Sequence, residues 1–322
     1  AETLIRRCFA ELDQGGFVSF AFQGGEPTLA GLDFFRFFTQ TVRKYNQKRV
    51  TLQYTIQTNG LAITEEWARF FREENFLVGI SLDGTPDVHD ALRPDASGDG
   101  TWARVMQTIE LLHRYGVECN LLCVVTKQLA KKAERVYKSM KATGVRYLQF
   151  IPCLRPFKST EQSELYMTNR QYADFLIRVF NLYVKDFVRG NYVSVRQFDN
   201  YVRMYLGERA EQCSLCGHCT HQLVVEGNGN LYPCDFYCTD EWLLGNIASV
   251  SVKAALTGKK ATEFIRESLV VPEKCRSCRF FSLCRAQGCK RQKESEDYCE
   301  AYKAFFSACL PLFRAFAKAD EH

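Results

Sequence analysis

Hydrophobic and polar positions along the chain follow two alternating periods. Short runs rich in Val, Ile, Phe, Tyr and Leu fall at Phe17–Phe22, Thr51–Thr58, Phe76–Leu82, Glu118–Val125 and Arg146–Ile151. Their length and β-branched or aromatic content predict buried strands. Between them, Leu32–Tyr45, Glu65–Glu74, Trp102–Tyr115 and Ala130–Thr143 place apolar residues at helical spacing. Such alternation predicts βα units, and therefore parallel strands joined by right-handed crossovers. Five strands do not close an eight-stranded barrel, so residues 1–155 read as an open or partial α/β barrel lacking its first βα unit. Residues 156–207 read as a helical connector built on Asn169–Gly190, with no obvious chemistry. In residues 208–322, Gln222–Glu226 and Asn230–Cys234 flank Gly227-Asn228-Gly229, a hairpin signal, and Glu300–Lys318 predicts a closing helix.

Composition narrows the class. Of 322 residues, 46% are hydrophobic and 25% charged, which is globular rather than disordered or fibrous. The net charge of +5 comes from cations that largely alternate with acids, which argues against a nucleic-acid partner. No apolar run approaches the ~20 residues of a membrane span, and no secretory leader pattern opens the chain, so the expected location is the cytoplasm. The opening AETLIRRC has no initiator Met and enters a helix-like stretch, which reads as a fragment. Cysteine is the strongest deviation: ten of fifteen lie from Cys213 to Cys299. In a reducing compartment, clustered thiols point to metal or iron–sulfur ligation rather than disulfides.

Chemistry gathers where strands stop. Phe17–Phe22 runs into Gln23-Gly24-Gly25-Glu26-Pro27-Thr28-Leu29, where paired glycines allow a close backbone approach and a carboxylate follows. Thr51–Thr58 ends in Gln57-Thr58-Asn59-Gly60, and the third run ends in Ser81-Leu82-Asp83-Gly84, followed by His89 and Arg93. Each alone is compatible with an ordinary turn, and the Pro27 segment with a helix start. Three successive strands ending in this way point to a shared ligand site. Downstream, Cys213-x5-Cys219-x14-Cys234 brackets the hairpin, and Cys275-x2-Cys278-x5-Cys284-x4-Cys289-x9-Cys299 follows. Eight thiolates can serve two four-thiolate iron–sulfur clusters. Zinc fits comparable spacings, with His218 and His221 as nitrogen donors, and spacing leaves both metals open. Cys216 and Cys238 read as extra thiols. Cys8, Cys119, Cys123, Cys153 and Cys309, on helical or apolar segments, read as core thiols.

QGGEPTL at Gln23–Leu29, QTNG at Gln57–Gly60, SLDG at Ser81–Gly84, Arg93-Pro94-Asp95 and Cys234-Asp235-Phe236-Tyr237 together resemble the radical S-adenosylmethionine enzymes. More narrowly, they resemble the anaerobic sulfatase-maturating enzymes, across essentially the whole chain. The resemblance implies a partial (β/α)6 radical SAM barrel followed by a SPASM domain carrying two auxiliary 4Fe–4S clusters. By analogy Cys213, Cys219, Cys234 and Cys289 hold one cluster, and Cys275, Cys278, Cys284 and Cys299 the other. The Cys284–Cys289 interval is one residue longer than the family pattern. Gly24, Gly25 and Glu26 would meet the methionyl ammonium, Ser81 and Arg93 its carboxylate, Leu154 the adenine, and Gln57 the substrate peptide. Asp235 would be the base in oxidation of a sulfatase Cys or Ser to Cα-formylglycine. The third cluster, which the family holds with C-x3-C-x2-C upstream of GGEP, has no such triplet in this sequence and is expected from an upstream segment, so the chain as written is expected not to cleave S-adenosylmethionine. The implied partners are an unfolded sulfatase polypeptide and a flavodoxin- or ferredoxin-type electron donor. The rival readings are another SPASM enzyme that crosslinks peptides and a non-catalytic, metal-stabilised binding module.

Overall fold

The computed structural model describes residues 1–157, 159, 161–295 and 297–319. The apolar runs become β1 (Phe17–Phe22), β2 (Thr51–Thr58), β3 (Phe76–Ser81), β4 (Cys119–Val125) and β5 (Tyr147–Pro152). A sixth strand, β6, is only Ser194–Val195, too short to leave a period in the sequence. The six form one parallel sheet in the order β1-β2-β3-β4-β5-β6. A strand order that follows the chain is that of a barrel-type βα repeat, since a doubly wound sheet reverses its order midway. Helices Leu32–Tyr45, Glu65–Glu73 and Trp102–Arg114 occupy their predicted places. The predicted helix Ala130–Thr143 forms as Ala133–Ala142, and a separate short helix, Lys127–Ala130, precedes it. The Thr126 side chain caps the short one by accepting the Leu129 amide, and Lys132 leaves helical geometry before the longer one begins.

The chain divides into two compact units built from separated segments: Ala1–Gly79, Glu110–Glu118 and Cys219–Leu269, and Ile80–Ile109, Cys119–His218 and Val270–His322. In the first, β1 and β2 pair from Phe17↔Thr51 to Phe22↔Ile56. Helix Leu32–Tyr45 buries Phe35, Phe38, Thr39 and Val42, one stripe at helical spacing. Phe22 meets Phe35 and Phe38 at ring-centroid distances of 4.9 and 5.0 Å, and Tyr54 stacks on Phe76 at 5.0 Å. Each such pair adds about 0.5–1.5 kcal/mol beyond area burial. The predicted hairpin forms as β7 (Val224–Val225) and β8 (Asn230–Tyr232), and an unpredicted β9 (Gly245–Asn246) joins β8 in a small antiparallel sheet.

In the second unit, β4 pairs with β5 and β5 with β6. Helix Asn169–Val188 starts with a capping box in which the Thr168 hydroxyl accepts the Gln171 amide and the Gln171 side chain accepts the Thr168 amide. It packs on the closing helix Cys299–Ala319, where Phe180 meets Phe305 at 5.5 Å and Phe313 at 4.8 Å. Among the described residues, no helix is long and apolar enough to cross a membrane.

Candidate functional site

Beyond β1 the backbone turns left-handed at Gly24 (φ 90°) and Gly25 (φ 55°). Both are exposed, and a Cβ built on either meets no atom within 4 Å. Conformation rather than crowding therefore selects glycine, and it leaves peptide groups bare for a ligand. The Glu26 carboxylate is engaged within the protein. Oε1 accepts from the Thr28 amide (3.1 Å), the Thr28 hydroxyl (2.6 Å) and the Thr58 hydroxyl (2.7 Å), and Oε2 accepts from the Asn59 amide (2.7 Å). It thus ties the loop after β1 to the end of β2. Gln57 lies half-buried near the end of β2, between buried Ile56 and Thr58.

Asp235 opens the single turn Asp235–Tyr237 and is exposed. Gln23 Nε2 donates to its Oδ2 at 2.9 Å, and the Cys234 thiol donates to Oδ1 at 3.2 Å. The acid expected to act as base is therefore held from the glycine loop on one side and adjoins an expected cluster ligand on the other.

In the second unit, Ser81 ends β3 half-buried and Leu154 lies half-buried just past β5. Arg93 is anchored by Asp83, a residue that reads in the sequence as part of a turn. Asp83 is 2% exposed; its Oδ2 accepts Arg93 Nε at 2.6 Å and its Oδ1 accepts the Val124 amide at 2.8 Å. The Asp83 amide donates to His89 Nδ1 at 3.1 Å, while His89 Nε2 bonds Thr101 Oγ1 at 3.0 Å. Burial pushes the His89 pKa below its ordinary value. The short helix Pro86–Leu92 that carries His89 shows no clear sequence period.

The thiols fall into groups. In the first unit, Cys219 packs against the buried cluster of Cys234, Tyr237, Trp242 and Phe264, and its amide donates to the Ser268 hydroxyl at 2.8 Å. In the second, Cys213 opens the turn Cys213–Leu215, and Cys289 follows four successive left-handed residues: Arg285 (φ 50°), Ala286 (55°), Gln287 (66°) and Gly288 (73°). A Cβ on Gly288 would lie 1.9 Å from the Ser214 carbonyl oxygen, so the segments bearing Cys213 and Cys289 touch there.

Cys275, Cys278, Cys284 and Cys299 line a single cavity of about 180 Å³ together with Lys274 and Lys303. Burial, reinforced by the other three thiols, pushes Cys284 up to about 12. Among the described residues, no three His, Cys, Asp or Glu side chains converge on a single ion position. A cluster presents a separate iron to each thiolate, and four cysteines lining one cavity suit it. Lys274, Lys293 and Lys303, against the single acid Asp297, give the wall a net positive charge that suits a thiolate-ligated cluster. His218 and His221 each direct Nδ1 to a backbone carbonyl, of Cys216 at 3.1 Å and of Leu256 at 2.8 Å. The Cys216 thiol points at the Ala210 and Gln212 carbonyls, and Cys238 at the Cys234 carbonyl.

A parallel βα sheet read in chain order, a bare glycine loop after β1 and a thiol-lined C-terminal region define a radical S-adenosylmethionine protein with an iron–sulfur extension. The Radical SAM superfamily profile matches residues 3–140, and an iron-sulfur cluster-binding domain profile matches residues 213–279. The Cysteine-type anaerobic sulfatase-maturating enzyme of Clostridium novyi is 43% identical over 98% of this chain and 86% of that relative. The Serine-type enzyme of Klebsiella aerogenes is 31% identical over 98% of this chain and 78% of its own length. The solved structure of native anSMEcpe with bound AdoMet and Cp18Cys peptide matches with a TM-score of 0.94 at 40% identity, over 99% of this chain and 90% of that one. The chain belongs to the anaerobic sulfatase-maturating enzymes, radical SAM oxidoreductases whose cofactors are S-adenosylmethionine and 4Fe–4S clusters.

Proposed function

We propose that this enzyme oxidises the Cβ of a cysteine in an unfolded sulfatase segment to Cα-formylglycine, in the cytoplasm, with electrons from a flavodoxin- or ferredoxin-type protein. The higher identity to Cysteine-type than to Serine-type relatives favours cysteine as the target. When bound, reductively cleaved S-adenosylmethionine supplies the radical that removes the Cβ hydrogen. The protein binds, orients and moves the proton. The carbonyls of Gly24 and Gly25 receive the methionyl ammonium, with Glu26 bracing the loop. Arg93, aimed by Asp83, and Ser81 meet the carboxylate, and Leu154 the adenine. Gln57 holds the peptide. Asp235 takes the thiol proton, and the resulting thioaldehyde is hydrolysed to the aldehyde with release of hydrogen sulfide. Cys213, Cys219, Cys234 and Cys289 would hold one auxiliary cluster, and Cys275, Cys278, Cys284 and Cys299 the other; such clusters would supply an acceptor for the electron released from the substrate.

The observation that carries this reading is the Gln23–Asp235 hydrogen bond, which ties a carboxylate to the glycine loop while its other oxygen meets the Cys234 thiol. The test uses the enzyme carrying an upstream C-x3-C-x2-C segment, reconstituted anaerobically with iron and sulfide, together with S-adenosylmethionine and paired sulfatase-motif peptides bearing Cys or Ser. Asp235→Asn should lower formylglycine formation about 100-fold or more while 5′-deoxyadenosine still forms, because removing a general base costs roughly 10²–10⁴. Wild-type product formation by that variant would overturn the role of Asp235, and faster turnover of the Ser peptide would overturn the cysteine assignment.

A further inference from the structure

Cations and acids mix along most of the chain, but residues 273–294 hold seven Lys and Arg against two Glu. That excess of five equals the net charge of the entire protein, +5. Lys274, Arg276, Arg279 and Arg285 of this stretch are exposed. Lys274 pairs with Asp297 at 2.6 Å and Arg276 with Glu273 at 3.3 Å. Arg279 and Arg285 have no acidic partner among the described residues. Arg279 Nη2 donates to Ser307 Oγ at 3.1 Å and Arg285 Nε to the Ser282 carbonyl at 3.1 Å.

Beside Arg279 an open groove of about 610 Å³ is lined by Tyr205, Phe280, Leu283, Leu310 and Pro311 among others, with no carboxylate in its wall. The Arg279 guanidinium lies 4.5 Å over the Phe280 ring. Phe280, only 6% exposed, also lines the cavity of Cys275, Cys278, Cys284 and Cys299. One buried aromatic side chain thus walls both the surface groove and the thiol cavity. Pro311 further shapes the groove: lacking an amide hydrogen, it leaves the Ser307 carbonyl without its helical partner.

We propose that this face docks an acidic one-electron carrier protein, which exchanges an electron with the group held by Cys275, Cys278, Cys284 and Cys299. The inference rests on the reading that those thiols hold an iron–sulfur cluster. The exchange makes and breaks no bond: one electron leaves the reduced cluster and enters the oxidised carrier. Unpaired arginines keep their field available to steer an anionic partner, and a small apolar groove rimmed by cations suits a brief redox encounter. Position and charge select the same occupant, because an acidic protein is attracted here and a redox protein gains from standing next to the cavity.

The test titrates the reconstituted holoenzyme with an acidic flavodoxin, at low and high ionic strength, following binding and flavin absorbance. The double variant Arg279→Glu, Arg285→Glu should bind about tenfold more weakly at low salt, with the difference shrinking as salt rises. Arg279→Lys should bind like the wild type, which separates charge from groove shape. Equal affinity of the charge-reversed protein overturns the proposal, as does equally tight binding of a basic cytochrome c or of an oligonucleotide. Iron per chain, compared between wild type and Cys278→Ala, reads the cavity assignment separately. If iron is unchanged by Cys278→Ala while charge reversal still weakens flavodoxin binding, the cluster reading fails and the docking surface stands.

Discussion

Gln23 and Asp235 are 212 positions apart in sequence, yet one amide hydrogen of Gln23 fixes an oxygen of Asp235. With Gln23 on Oδ2 and the Cys234 thiol on Oδ1, the orientation of the carboxylate is set from both sides. Gln23→Ala should therefore lower formylglycine formation about tenfold, the scale of a misplaced base, while 5′-deoxyadenosine production continues. Equal loss of both products in a quenched single-turnover assay would contradict a positioning role. A second residue-scale device is His89. Its Nδ1 accepts the Asp83 amide, and Nε2–H donates to the Thr101 hydroxyl, which donates onward to the Arg93 carbonyl at 2.6 Å, so one neutral tautomer is required. Burial lowers its pKa from 6.5 despite the nearby carboxylates of Asp83 and Asp90, with Arg93 adding to the shift. The sign follows from proton counts. Just below 6.5 the unfolded chain binds a proton that the folded chain refuses, so this contribution to stability is complete above the ordinary value and is lost as pH falls through it. Urea midpoints of the wild type should drop more steeply on acidification than those of His89→Gln. Parallel curves would remove His89 from the account.

At the scale of elements, legibility in the sequence depends on whether an element carries its own period. The strand Thr51–Thr58 and the helix Leu32–Tyr45 have the bounds read from sequence, because their buried faces recur at intervals of two and of three or four residues. Ser194–Val195 and Pro86–Leu92 lack such a period; one exists through pairing with its neighbour strand, the other through contacts of Asp83 and His89. The four thiols of the cavity are visible as spacing, while the bonds from Gln23 to Asp235 and from Asp83 to Arg93 are tertiary and leave no local pattern. The left-handed run Arg285–Gly288 is likewise invisible beforehand. Three non-glycine residues there each cost about 1 kcal/mol or more. The Gln287 amide donates to Cys284 Sγ at 3.3 Å, and the Gln287 side chain accepts the Tyr298 amide at 2.8 Å and donates to Asp297, which offsets part of that cost. Gly288→Ala sets a Cβ against backbone that cannot swing aside, so a destabilisation of about 3 kcal/mol and lower iron retention are expected. Gly227→Ala, with open space around it, supplies the control. Matching urea midpoints and iron contents for the two variants would show that the turn is dispensable.

For the whole molecule, the thiols link iron loading to folding and to pH. Burial holds Cys284 near 12 and raises Cys299 as well, so without metal both remain protonated at neutral pH. Forming thiolate bonds must expel those protons, and iron affinity therefore rises with pH. The unfolded chain offers no such arranged set of four sulfurs, so whatever binds the folded cavity stabilises the folded state by mass action. Cys299 begins the closing helix, which packs along Asn169–Val188, so restraint at the cavity is transmitted into the largest helix pair of the second unit. Anaerobic calorimetry should then show a higher thermal midpoint for the iron- and sulfide-loaded protein than for the chelator-stripped one. This increment should shrink progressively as pH is lowered, and Cys278→Ala should reduce it at every pH. An increment independent of pH would mean that the sulfurs in the cavity do not give up protons on loading, and would remove them as the ligands.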